Sequence, residues 1–468
     1  MERTSFGLVY RSTLGRRSLG LAFVGAVGAL GFACALNPSG TAPTGTTSTG
    51  TSASSAGGSG GAGVGTGGMA QGGGGTGGSP SSSSSGNGGG GMVYSWDAQT
   101  GMNSDGTYTL PSWLLFSSPS ANKTSQTSAS TIRIGFGPDA ARARNVTGTQ
   151  TDWGLSIESD RKNVVHYSDS WNDMWIYLGG MNAMVPTPMQ VDPSGGMKAT
   201  RFQSSGDQAS AYLTVTGRVV SAWLRGEGSP GDPEPTGGAL SFAHFRHVDA
   251  PGAPFVEVNS TTWTRYSFTN AMNENGSIVL ETRDRPSGAG RILGPTQTLA
   301  YAGQVEPNAA YPSSYIPTAD ADVTRAPEKL WSPMPTALVQ DGFFRINLRF
   351  APNYASGEQA GDHELLSFKG NNDRLFVRAM DNAIVLRVDG LEIASDPLEW
   401  SREQPITVVA VNSTTELSLS VMGATTGDGA KTQGVGKPVQ LDPELYILSE
   451  PNGATECADL RLISFGKP

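Results

Sequence analysis

From Asn37 to Val93 the chain runs without a charged or aromatic side chain, built almost entirely of Gly, Ser and Thr. Such a segment carries too little apolar surface to offset the entropy of ordering it, so it is predicted to stay a disordered linker, residues 34–93. A Gly/Ser-rich coil of that length has an r.m.s. span of roughly 40–45 Å, from about 5–6 Å times the square root of its residue number. Folding is thereby confined to Tyr94–Pro468, a stretch long enough for two domains of ordinary size. A tether this long holds one thing away from another, which suits a displayed module better than a cytosolic catalyst.

Upstream, residues 1–17 carry Arg3, Arg11, Arg16 and Arg17 against one acid, Glu2, and a weakly apolar run follows from Leu19 to Ala33. A basic region followed by a short apolar one reads as a secretory signal peptide over residues 1–33; it is too short and too rich in glycine for a membrane span. Leu30-Gly-Phe-Ala-Cys34 resembles the lipobox of bacterial lipoproteins, although the usual Leu stands one place early and Phe32 is bulky for its position. The resemblance implies lipidation of Cys34 and attachment to a membrane through that lipid. The alternative is simple secretion with Cys34 idle. Either way the expected location is outside the cytoplasm, in the bacterial cell envelope, as an outer-membrane lipoprotein or at the cell surface.

Loss of residues 1–33 takes four Arg and one Glu from 32 basic and 41 acidic residues, leaving a net charge of −12. An acidic secreted protein without a basic block is a poor fit to nucleic acid or to an anionic membrane surface. With Cys34 lipidated, Cys457 has no partner in the chain, which excludes a disulfide framework or a cysteine-rich zinc site.

Short alternating runs between Gly, Pro, Asn and Asp clusters predict an all-β protein of two β-sandwich (jelly-roll) domains. Strands are expected over Ala211–Arg225, broken at Gly217, and over Thr262–Phe268 and Ser277–Thr282. In Phe343–Phe350 the residues Phe344, Ile346, Leu348 and Phe350 face one way, Arg345, Asn347 and Arg349 the other. Leu375–Arg378 turns at Asp381-Asn382 into Ile384–Val388, which ends at Asp389-Gly390, a strong type I′ hairpin signal. Pro405–Val411 and Glu416–Met422 continue the meander around Asn412-Ser413, and Asp459–Ser464 supplies a last strand. Prolines 327, 333 and 335 place the domain boundary near Ala326–Pro335.

Four segments in order carry a further signal. They are Gly154–Trp171, with Gly-Leu-Ser-Ile-Glu158 and Arg161-Lys-Asn163; Val219–Arg225; Thr262–Thr269; and Gln304-Val-Glu306 followed by Tyr311-Pro-Ser-Ser-Tyr-Ile-Pro-Thr318 and Thr324-Arg325. In this order they resemble a family of bacterial and bacteriophage surface proteins. Its members join a jelly-roll carbohydrate-binding-like module to a concanavalin A-like (laminin-G-type) sandwich. The resemblance covers residues 150–330 and implies a carbohydrate-binding-like jelly roll over 94–328 and a concanavalin A-like sandwich over 329–468. Pro312 and Pro317 suit the edge or exit of a sheet, and Tyr311 and Tyr315 can pack a ring while satisfying the hydroxyl at the surface. These read as corner devices rather than ligand contacts.

Sandwiches of this type include glucanases, so catalysis needs testing. Retaining glycosidases need two carboxyl groups about 5–5.5 Å apart, and the Glu-x-Asp-x-x-Glu strand of such glucanases is missing. Asp442/Glu444 flank Pro443 in an expected turn, and Asp320/Asp322 follow Pro317. No acid pair reads as catalytic, and the expectation is a protein that is not an enzyme. His244 and His247 stand three apart, so a strand would point them to opposite faces; they are expected in exposed loops. His166 and His363 have no evident partners.

For ligand binding, Trp171, Asp173, Trp175 and Tyr177 have even spacing and would share one face of an extended segment. An aromatic row with an interleaved acid can form a saccharide platform; the competing reading is a core stripe. Asp169 and Asp173 are the candidates for a structural Ca²⁺, the one cofactor considered. The expected function is a non-catalytic, envelope-anchored carbohydrate-binding or adhesion protein whose partner is an extracellular or envelope polysaccharide. A structural or protein-binding surface component without sugar affinity is the alternative, and a polysaccharide hydrolase or lyase is a third reading.

Overall fold

A computed structural model describes residues 92–468, apart from 122, 150, 172–175, 178–183, 205–208, 229, 231–239, 249–254, 283–294 and 371. The signal, Cys34 and the Gly/Ser/Thr tether lie outside the described residues. The described chain falls within one compact unit, Thr76–Pro468. It is all-β as expected, with strands β1 to β27 and one four-residue helix, Pro335–Leu338.

Two sheets pack face to face. The first runs β25 (Gly429–Gln433), β24 (Leu417–Met422), β23 (Ile406–Asn412), β18 (Phe344–Pro352), β27 (Ala458–Gly466), β6 (Gly154–Ile157), β5 (Ala143–Arg144), and β1 (Met92–Asp97) also pairs β27. The second runs β2 (Leu115–Ser117), β17 (Lys329–Ser332), β26 (Leu445–Ile447), β19 (His363–Lys369), β20 (Asp373–Val377), β21 (Ile384–Val388), β22 (Leu391–Ala394). Between them lies one apolar core. Ile346, Leu348 and Phe350 of β18 meet Phe368, Leu375, Val377, Ile384 and Leu386, and the Phe344 and Phe368 rings stack at 4.8 Å. The alternation read in β18 is what buries that face. At the β21–β22 hairpin, Asp389 and Gly390 have φ of 43° and 76°, the positive values a type I′ turn demands.

The boundary at 328/329 is crossed by hydrogen-bonded strands. β1, β2 and β6, all before residue 158, pair with strands of the C-terminal half: Trp96 with Ile463, Leu155 with Leu460, Leu115 with Trp331; β5 extends that sheet by pairing with β6. One sandwich is therefore built from residues 92–157 and 329–466, and a third sheet is inserted between them. Its order is β13 (Phe255–Val258), β12 (Ala243–Val248), β14 (Thr264–Glu281), β11 (Ser210–Glu227), β15 (Thr296–Glu306), β10 (Ala199–Ser204), β9 (Val185–Gln190), with β8 (Ile176–Tyr177) on β11. Two two-stranded sheets complete the set, the long-range pair β16 (Val323–Arg325) with β7 (Arg161–Asn163) and the hairpin β3 (Lys123–Ser128) with β4 (Thr131–Phe136).

Gly217 marks a shift of register rather than a strand end. Before it, Ala211 and Leu213 face one apolar cluster; after it, Val220, Ala222 and Leu224 do. The bulge flips the parity so that β11 keeps the same face inward along its length. A Cβ on Gly217 would lie 2.1 Å from Val305, so only glycine lets β15 approach there. The segments expected as separate strands at 262–268 and 277–282 belong to the single strand β14, which pairs with β11 along both halves.

Candidate functional site

Trp171, expected in a saccharide platform, does not present a face to solvent. Trp171 is 1% exposed, packs edge-on to Phe202 at 6.0 Å and lies against Gly303, where a Cβ would come within 3.2 Å of the indole. It is a core residue, so its faces cannot stack on a sugar. Asp173 and Trp175 lie outside the described residues, and of Tyr177 only its place in β8 is described. Asp169 is engaged by the Lys198 ammonium at 2.5 Å, and no cluster of three or more potential metal ligands occurs among the described residues.

The histidines also differ from expectation. His244 lies in β12, buried edge-on to Phe255 at 5.8 Å, and burial, aided by Arg246, pushes its imidazole down to about 4. His166 pairs with Asp322 at 3.0 Å, and His363, fully buried, meets the Tyr354 hydroxyl through Nδ1 at 2.5 Å. The sequence shows neither partner because both are brought together by the fold.

The residues that carried the family resemblance converge on one buried polar network. Glu158 accepts hydrogen bonds from Arg142 (2.8 Å) and from Ser314 N (3.0 Å) and Oγ (2.6 Å), and pairs with Arg325 at 2.9 Å. Arg142 also reaches Glu328 at 2.7 Å. Ser313 donates to Glu306, Gln304 accepts from Ile316 N, and Asn163 accepts from Val165 N and Val305 N. Tyr311 donates to Glu456, and Tyr315 shares a hydrogen bond with Ser168 at 2.7 Å. Both tyrosines are buried, with hydroxyls satisfied inside rather than at the surface. The network joins β5, β6 and the 313–328 connection, so these motifs are structural.

A groove on the outer face of the second sheet fits a ligand better. In β17, Leu330 and Ser332 point inward, fully buried, while Lys329 and Trp331 stand half-buried on the outer face. The sheet's register places Trp331 directly opposite Leu115 on one side and Tyr446 on the other. The row continues through Ser367, Arg374, Arg387 and Glu392. Trp331, Tyr446, Lys329, Glu444 and Asn452, walled by Pro119 and Pro327, line a groove of about 440 Å³.

The frame of the groove is held from below. Ser449 Oγ accepts from Leu330 N at 3.1 Å and donates to Leu330 O at 2.9 Å, pinning β17 to the chain after β26. The Glu450–Gly453 turn closes on itself at 3.0 and 2.9 Å, and Gly453, at φ 115°, lies so close to Pro327 that a Cβ would fall at 2.6 Å. That approach brings exposed Asn452 to the rim. Tyr446 donates its hydroxyl to Glu444; burial, that bond and the nearby carboxylates push the phenol up to about 12, so it stays a donor and its ring stays fixed.

Beyond the groove the charges on this face pair among themselves. Arg374 meets Asp362 at 3.1 Å and Glu364 at 3.3 Å and lies 3.7 Å over Phe376, and Arg387 meets Glu392 at 2.8 Å. A second groove of about 470 Å³, lined by Leu110, Pro111, Leu115 and Phe116, shares strand β2 with the first. Prolines 327, 333 and 335 make the sequence around Trp331 read as an interdomain connection; the alternation Lys329-Leu-Trp-Ser332 is the signal that points to a strand instead.

Compared with known proteins, the chain matches no family model and no curated protein.

Proposed function

We propose that this protein is a non-catalytic, envelope-displayed polysaccharide-binding protein, and that the groove at Trp331 and Tyr446 holds the saccharide. The observation that carries this reading is the half-buried Trp331 opposite Tyr446, itself 9% exposed, on the adjacent strand at an open groove with polar groups around it. Pyranose rings have apolar faces that stack on such side chains and hydroxyls that need donors and acceptors at the edges. Asn452 and Glu444 supply these. Among the described residues the groove lining contains a single carboxylate, Glu444, and its neighbour Asp442 lies just before β26, so the two-carboxylate geometry of glycoside hydrolysis finds no support here.

The resemblance to surface proteins with jelly-roll and laminin-G-like modules, the signal peptide and the lipobox-like Cys34 all support display outside the cell. A protein-binding role is favoured by a different observation, the exposed apolar residues Val185, Met189, Val191 and Met197 in and around edge strand β9.

A glycan array with the purified chain separates the two. Selective binding, weakened at least about 30-fold by Trp331→Ala, is the expected result, the size of a buried aromatic hot spot. Flat binding across all glycans refutes the saccharide reading. Trp171→Ala serves as the contrast: it should lower the melting temperature while any remaining folded protein binds as before.

A further inference from the structure

We infer that the saccharide bound in the Trp331 groove is anionic, with a carboxylate or sulfate on the sugar meeting the ammonium of Lys329. The inference rests on the saccharide reading above and adds a substrate class to it.

Lys329 stands two residues before Trp331 in β17, and with Leu330 buried between them both share the outer face. It lines the groove and is half-buried. Among the described residues it has neither a carboxylate within salt-bridge reach nor a hydrogen-bond partner. Both cations in the cross-strand row through Trp331 are paired: Arg374 with Asp362 and Glu364, Arg387 with Glu392. The neighbouring Arg378 is held by Asp381 at 2.7 Å.

The chain has more acids than bases, 41 against 32, yet no described acid pairs with Lys329. The groove's own acid, Glu444, forms no ion pair with Lys329 and accepts instead from the Tyr446 hydroxyl. An ammonium at a groove with no counter-charge from the protein is free to meet an anionic group on a ligand. Trp331 then offers a surface for the sugar ring while Lys329 meets its acidic substituent, and Asn452 at the rim is placed for a hydroxyl. The overall negative charge of the protein opposes indiscriminate attraction to polyanions, so selectivity for them has to come from this local group.

The test is affinity electrophoresis of the full-length chain in gels containing matched polymers. Polygalacturonate, alginate and hyaluronate supply carboxylates, dextran sulfate supplies sulfate, and methyl-esterified pectin, dextran and a neutral β-glucan supply uncharged controls. The expected result is retardation by one or more acidic polymers and not by the neutral ones, reduced at least tenfold in affinity by Lys329→Met, preserved in Lys329→Arg and unchanged in Lys431→Met, whose target lies on another strand. Raising the salt should weaken it. Which acidic polymers act tells carboxylate from sulfate. Retardation by neutral polymers that Trp331→Ala removes and Lys329→Met leaves intact overturns the anionic assignment while the groove stands. No retardation by any polymer overturns both.

Discussion

Glutamine at position 158 should cost this protein about 3–4 kcal/mol, at the lower end of what breaking a buried ion pair costs, and the reasoning runs through the buried network. Glu158 is fully buried and its two oxygens accept from Arg142, Arg325 and both the amide and hydroxyl of Ser314. Glu158→Gln keeps the shape, removes the charge and turns one acceptor into a donor facing guanidinium or hydroxyl groups. Breaking one partner of a buried ion pair typically costs about 3–5 kcal/mol. Arg142 would keep Glu328 at 2.7 Å and the Thr124 carbonyl at 2.5 Å, and Arg325 would keep Ser314 Oγ at 2.8 Å, which places the loss toward the lower end of that range. Against a total of about 5–15 kcal/mol the change is large.

Guanidinium denaturation followed by tryptophan fluorescence and far-ultraviolet circular dichroism reads it as a fall in midpoint of roughly 0.5–1 M. pH adds a second arm. Burial alone would raise the Glu158 carboxyl, but Arg325, Arg142 and the Ser314 hydrogen bond outweigh it and hold it well below the usual range. Its stabilisation is therefore complete above the unfolded value of 4.5 and is lost as pH falls below that. The gap between wild type and Glu158→Gln should be constant from about pH 5 to 7 and shrink at about pH 3. A loss under about 1 kcal/mol, or a gap that grows in acid, would refute the account.

Two further outcomes follow from the same structure. A fragment of residues 329–468 should fail to fold, because it lacks β1, β5 and β6 on the open side of β27 and β2 beside β17; a dispersed amide NMR spectrum from that fragment would contradict the sheet order. His363, pushed down to about 3 by burial, stays neutral in the folded protein while the unfolded chain takes up a proton below 6.5. Stability should then decline by up to about 1.4 kcal/mol per pH unit between about pH 6.5 and 3, and His363→Gln should flatten that part of the denaturation-midpoint profile.

Local pattern is enough wherever the pairing is local. Alternation in β18 and the Asp389-Gly390 turn can be read directly, since neighbouring strands in the meander are joined by short turns. It is not enough where pairing is long-range. β5 and β6 are very short strands, and β6 is ordered by Leu460, which stands near the opposite end of the folded chain. No window of sequence contains that interaction, so local reading cannot pair these N-terminal strands with β27. β14 divides in the sequence because Thr269–Gly276 is mostly polar and without alternation; it stays extended because β11 pairs with it on both sides of the bulge. Trp171 looks like a platform from even spacing alone, and spacing cannot say which face of a strand is inward.

The strand pairing across 328/329 and the groove hidden from sequence have one cause. The chain segment from 313 to 332 reads as a connection, yet it first supplies Ser314, Arg325 and Glu328 to the buried network and then enters the sheet as β17. Glu328 lies shortly before Trp331. Its main chain bonds Glu158 at 2.9 Å and Ala454 at 2.7 Å, the latter just past the turn that presents Asn452. The network therefore sets the position of both sides of the groove. Preorganisation of this kind lowers the ordering cost paid on binding, which on the proposed saccharide reading would let a shallow site built around Trp331 work without a closing lid. It follows that Glu158→Gln, which touches no ligand, should weaken saccharide binding as well as stability, and that it should do so under conditions where the protein is still folded.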